Sequence, residues 1–126
     1  MVKTRSKKNI SALVVVHNEE KQLHDCLKRL NFVDEIVVVL DNCTDGSKRI
    51  AKRLSTKQIE GSWELEGLRR NKGISNCSGN WILEVDADER VGKKLASEIL
   101  EKIHNATNDW FLIPVDNYIG NRLIKY

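Results

Sequence analysis

The sequence predicts an α/β fold with a doubly wound, mostly parallel sheet. Three observations carry this: short β-branched apolar runs that end abruptly in polar residues, apolar residues at helical spacing between those runs, and the regular alternation of the two patterns along 126 residues. A chain of this length fits one domain with a core of its own. Residues 10–116 are expected to form it, after a basic N-terminus at 1–9.

The elements follow in order. Ile10 to Val16 is apolar apart from Ser11, as in a strand covered on both faces, and His17-Asn18-Glu19-Glu20 ends it. Leu23, Cys26, Leu27 and Leu30 then recur at helical spacing, with Asn18 placed as an N-cap and Glu19 and Glu20 suited to the first turn. Val33 to Leu40 reads as a second buried strand, followed by the turn-rich Asp41-Asn42-Cys43-Thr44-Asp45-Gly46-Ser47. Ile50, Ala51 and Leu54 mark a second helix, and a short strand is expected around Gln58 to Glu60. A helix follows between Glu64 and Asn76, with Gly79 near its end. Trp81 to Val85 is the next strand, Leu95, Ile99, Leu100 and Ile103 lie on a further helix, and Trp110 to Val115 is expected to be a final strand.

Composition narrows the function classes. Apolar residues make up 40% and charged residues 31%, the balance of a globular domain. No apolar run reaches the roughly 18 residues of a membrane span, and no signal-peptide core follows the N-terminus, so a cytosolic location is expected. Cys26, Cys43 and Cys77 show no metal-ligand spacing, which disfavours zinc and a disulfide framework. The net charge of +3 comes mostly from Lys3, Arg5, Lys7 and Lys8. That tail is compatible with peripheral contact with anionic lipid, whereas nucleic-acid binding would need a broader basic face with interleaved aromatics.

In an open parallel sheet, ligands bind beyond the carboxyl ends of the strands. Three polar clusters fall there: His17-Asn18-Glu19, Asp41-Asn42 and Asp86-Ala87-Asp88. On an extended segment, Asp86 and Asp88 would share one face with Cα atoms roughly 6 to 7 Å apart. That arrangement suits Mg²⁺ or Mn²⁺ bound together with substrate phosphates. Asp41 stands 24 residues after His17, a spacing suited to a ribose-binding acid, but the first turn lacks Gly-x-Gly-x-x-Gly and so disfavours NAD-type binding.

These residues resemble a family 2 glycosyltransferase with a GT-A fold, whose nucleotide-binding half is Rossmann-like. Val14-Val15-Val16-His17-Asn18-Glu19-Glu20 resembles the family's first strand and its Asn-Glu-Glu. Asp41 to Ser47 resembles its second-strand loop, Arg70-Asn71-Lys72-Gly73 its Arg-Asn-x-Gly element, and Gly79 to Leu83 with Asp86-Ala87-Asp88-Glu89 its Asp-x-Asp strand. Two details depart from the common pattern: the Asp41 loop is one residue shorter, and His17 stands where Tyr is frequent. Asn117-Tyr118-Ile119-Gly120 is similar to a connection in the branch that adds sugars to lipopolysaccharide core.

The resemblance implies donor-nucleotide contacts from His17, Asn18, Glu19, Asp41, Arg70 and Asp86, and a Mg²⁺ or Mn²⁺ site at Asp88 and Asp86. It also implies inverting transfer of a sugar from a nucleoside diphosphate sugar to a glycan or lipid-linked acceptor. The family's general base and acceptor site lie well downstream of Asp-x-Asp, and 38 residues follow Asp88. Residues 117–126 are thus expected to begin an acceptor-side segment, with Asp116 the last carboxylate side chain before it. Apolar Trp110, Phe111, Ile113 and Ile119 are expected to promote self-association. Two alternatives remain open: a nucleotidyltransferase, and a nucleotide-sugar-binding module without catalysis.

Overall fold

A computed structural model describes residues 9–105, 107, 110–113, 117–119 and 122–124. The elements are β1 (Ile10–Val16), α1 (Glu20–Lys28), β2 (Glu35–Asp41), α2 (Ser47–Leu54), β3 (Lys57–Gly61), α3 (Glu66–Ser75), β4 (Trp81–Glu84), α4 (Lys93–His104), β5 (Asn117–Ile119) and β6 (Arg122–Ile124). The first four strands form one sheet in the order β3-β2-β1-β4, and every pairing is parallel. The remaining two pair antiparallel as a separate two-stranded sheet.

Both faces of the main sheet are covered, which is why the middles of its central strands, Ala12 to Val16 and Ile36 to Leu40, read as unbroken apolar runs. Ile10, Ala12, Val14 and Val16 of β1 and Val38 and Leu40 of β2 join the core that includes Leu23, Cys26 and Leu27 of α1, Ala51 of α2 and Ile99 of α4. Leu13, Val37 and Val39 point the other way, toward Ile74 of α3 and toward Trp63, Cys77 and Ile82. The expected doubly wound arrangement is present.

Three local expectations are corrected. Asn18 does not cap α1; Glu19 occupies that position, and Asn18 adopts φ 50°. Gly79 lies beyond the end of α3 at Ser75, where Asn76 is the C-cap. Its role is close approach: a Cβ there would stand 2.6 Å from the backbone nitrogen of Ser11 on β1. Trp110 to Ile113 is not strand. Phe111 instead stacks on Trp81 with ring centroids 5.5 Å apart, and Ile113 packs on the main core. The rest of that expected strand, Asp116 and the basic residues 3–8 lie outside the described residues.

The amino end of the sheet is fixed by a buried acid. Glu35 is 1% exposed, and its carboxylate accepts from the Ser11 hydroxyl (2.6 Å), the Ser78 amide (2.8 Å) and the Ser78 hydroxyl (3.0 Å). These bonds join β1, β2 and the segment that leads into β4 at the edge opposite the polar clusters.

Candidate functional site

The strand order reverses between β1 and β4, and a crevice opens at such a switch point beyond the carboxyl ends. Register sets what borders it. Val16 is level with Leu40, while Leu13 is level with Glu84 and its carbonyl accepts from the Val85 amide at 3.0 Å. His17 follows the end of β1 and Asp86 that of β4, while Asp41 is the last residue of the adjacent β2.

His17 bridges the first two. Its Nδ1 lies 2.8 Å from the carbonyl oxygen of Asp41. A carbonyl only accepts, so Nδ1 carries the proton and the exposed ring is held across the strand ends.

Asn18 and Asn42 are the non-glycine residues with positive φ among those described, at 50° and 49°. Asparagine tolerates the left-handed region better than most residues, which lets the chain turn sharply after β1 and β2. The two loops then cap each other. Asn18 Oδ1 accepts from the amides of Thr44 (2.7 Å) and Asp45 (3.3 Å), and its Nδ2 donates to the Thr44 hydroxyl (3.3 Å). In return Asp45 accepts from the Glu20 amide (3.1 Å), and Ser47 Oγ accepts from the Glu19 amide (3.0 Å). The Glu20 carboxylate accepts from the Gly46 amide at 2.9 Å. Asn18 thus spends its side chain on the loop, while Glu19 is half-buried beside it.

Asp41 is buried at 6% exposure. Oδ2 accepts from Arg69 Nη1 at 2.7 Å and Oδ1 from the Trp63 amide at 3.2 Å. The Arg69 hydrogen bond, opposed by burial and aided by the Trp63 amide, holds this carboxyl below its ordinary value near 3.8. Arg69 was not singled out in the sequence. A signal for it exists: it stands four residues before buried Gly73, so both lie on the face of α3 that meets the sheet. Arg70 points elsewhere and donates to Glu84 at 2.7 Å, two residues before Asp86.

Asp86 and Asp88 do not lie on an extended segment. Asp86 to Glu89 is a turn closed by the Glu89 amide on the Asp86 carbonyl (2.9 Å), and the Glu89 carboxylate accepts from the Asp86 amide (2.8 Å). Ala87 is buried at 4%, and both aspartates flanking it are exposed. Neither carboxylate has a protein partner among the described residues, and no group of three His, Cys, Asp or Glu residues that could hold a metal occurs among them. Two free carboxylates without a third ligand fit a Mg²⁺-type ion completed by substrate phosphate and water, not a protein-enclosed metal.

The family model of glycosyl transferase family 2 matches residues 11–125. The chain belongs to this family. Its relatives include a glycosyltransferase of Rickettsia typhi, 33% identical over 93 residues and covering 73% of this chain and 32% of the relative. Another is the lipopolysaccharide core biosynthesis glycosyltransferase LpsC of Rhizobium meliloti, 28% identical over 109 residues, with 79% and 38% covered. The chain spans about a third of the length of such family 2 relatives.

Among solved structures, S. aureus TarS 1–349 superposes with a TM-score of 0.63 at 26% identity, covering 76% of this chain and 32% of that crystallised chain. Glucosyl-3-phosphoglycerate synthase of Mycobacterium tuberculosis, crystallised with Mn²⁺ and uridine diphosphate, shares the fold with a TM-score of 0.59 at 16% identity, covering 67% and 36%. The GT-A type α/β fold is thereby shown for this family 2 chain.

Proposed function

We propose that these residues form the donor-binding half of a metal-dependent, inverting glycosyltransferase. Its substrates are a nucleoside diphosphate sugar and a hydroxyl of a cell-envelope glycan or lipid-linked acceptor. The observation that carries this reading is the pair of exposed carboxylates of Asp86 and Asp88, without a partner among the described residues, at the switch point and on the same sheet edge as His17 and Asp41. A relative acting in lipopolysaccharide core biosynthesis supports the acceptor class.

In this reading Asp41 and His17 receive the nucleoside, with Asn18 and Glu19 shaping the loop beneath it. Asp86 and Asp88 hold Mg²⁺ or Mn²⁺ against the diphosphate, and Arg70 exchanges its Glu84 partner for phosphate when donor binds. The cation, when bound, stabilises charge developing on the diphosphate leaving group. The M. tuberculosis neighbour, solved with Mn²⁺ and uridine diphosphate, is in keeping with that role.

Calorimetry of nucleoside diphosphate sugars in Mn²⁺ and in EDTA tests the proposal. Asp88→Ala should abolish the metal-dependent gain in affinity and leave the fold intact. Equal binding by the wild type in EDTA would remove the metal from the reading.

No helix among the described residues is long and apolar enough to cross a membrane. Peripheral contact with anionic lipid, expected from the basic tail, would gain a second basic surface in exposed Lys48, Arg49, Lys52 and Arg53 of α2. Co-sedimentation with anionic but not zwitterionic vesicles checks it.

A further inference from the structure

The turn bearing Asp86 and Asp88 is gripped from behind by Arg90, whose side chain is 26% exposed. Its guanidinium makes four hydrogen bonds in two directions. Toward α1, Nε donates to Asp25 Oδ2 at 2.8 Å and Nη2 to Gln22 Oε1 at 2.6 Å. Toward the turn, Nη1 donates to the carbonyls of Ala87 at 2.8 Å and Glu89 at 2.9 Å. The Cys26 thiol of α1 adds a weak contact to the Asp86 carbonyl at 3.6 Å.

We infer that Arg90 is a positioning residue that clamps the Asp86-Ala87-Asp88 turn to α1 and so presets the two aspartates for cation and diphosphate. The inference rests on the donor-site reading proposed above. Ala87 is the residue between the two acids. With its carbonyl drawn toward Arg90 and its methyl buried, the peptide that joins it to Asp88 cannot rotate without breaking the clamp. The Glu89 carboxylate on the Asp86 amide fixes the other end of the turn. Backbone groups of the turn are thereby engaged with protein, while the Asp86 and Asp88 carboxylates have no partner among the described residues.

The anchor also has a direction. Gln22 and Asp25 lie on α1, which begins directly after His17-Asn18-Glu19. Arg90 therefore ties the cation side of the crevice to the nucleoside side across the β1/β4 switch point. A planar fork with five donors can span an amide, a carboxylate and two carbonyls, whereas the single nitrogen of lysine cannot.

Titration of UDP and of GDP, each in Mn²⁺ and in EDTA, tests this on the wild type, Arg90→Ala, Arg90→Lys and the double variant Gln22→Ala/Asp25→Ala. Groups that orient metal ligands typically change metal affinity by about 10 to 100-fold, so both Arg90 variants should lose the Mn²⁺-dependent gain on that scale while affinity in EDTA stays within about 2-fold. The double variant should lose part of the same gain with Arg90 still present. Circular dichroism establishes which variants are folded; should Arg90→Ala not fold, the double variant and Arg90→Lys decide. An undiminished Mn²⁺ gain in folded variants, full rescue by lysine, or an equal loss in EDTA would overturn the clamp. Absence of wild-type binding to either nucleotide would overturn the donor-site reading itself.

Discussion

Asp41 shows how far one side chain near the crevice depends on residues distant in sequence. Its two oxygens are engaged by Arg69 and by the Trp63 amide, and its pKa is lowered first by the Arg69 hydrogen bond. A carboxyl depressed below its unfolded value near 3.8 adds stability that is present above that value and lost as pH falls through the folded pKa. Acid unfolding should therefore be less steep for Asp41→Asn than for the wild type, as followed by fluorescence between neutral pH and pH 2. The same position should matter for ligand: Asp41→Ala should weaken donor binding by about 1.5 to 3 kcal/mol, the scale of a hydrogen bond to a charged group. An unchanged dissociation constant would leave Asp41 as a structural anchor for Arg69 and the β3–α3 loop. That Asp41 closes a strand at the sheet's carboxyl edge was legible from the turn residues that follow it. Its pairing with Arg69 was not, because the partner's orientation depends on the phase of α3 against the sheet.

At the scale of elements, α3 shows why the Arg-Asn-x-Gly spacing carries structural meaning. Gly73 is buried, and a Cβ there would stand 2.4 Å from Leu13 Cδ1 and 2.9 Å from Val39 Cγ2. The helix can lie on β1 and β2 only because no side chain intervenes. Gly73→Ala should destabilise the domain by about 1 to 3 kcal/mol through overpacking, despite alanine's better helix propensity, as read from denaturant midpoints. The run Trp110 to Ile113 makes the opposite point. Its apolar pattern fits a strand, but a short apolar run does not say whether it pairs or merely covers a neighbour. Here Phe111 covers Trp81.

For the whole molecule, the sheet order β3-β2-β1-β4 brings the ends of β1, β2 and β4 to one edge and places β4 at one side of the sheet, with β3 at the other. Beside it, Trp110 and Leu112 are 69% and 83% exposed. Contiguous exposed apolar side chains favour association. These 126 residues, expressed alone, are expected to self-associate in sedimentation experiments, and Trp110→Ser/Leu112→Ser should shift them toward monomer. Unaltered association of the double variant would place the contact elsewhere. The same polypeptide is expected to bind donor yet transfer sugar poorly. It spans about a third of the length of its relatives, and a correctly placed general base typically contributes a factor of about 10² to 10⁴.

Read alone, the sequence determined the α/β class, the order of four strands and four helices, the core residues of β1 and β2, and the three polar clusters at strand ends. Those features are local: periodicity, β-branching and turn chemistry act within a few residues of chain. The tertiary structure decided what each polar side chain does. Asn18 became the cross-cap of a neighbouring loop, Arg69 took the place at Asp41 while Arg70 turned to Glu84, and Arg90 reached back 65 residues to Asp25. The physical reason is that long polar side chains choose partners by the direction in which packing points them, and that direction is set when α1 and α3 settle on opposite faces of the sheet.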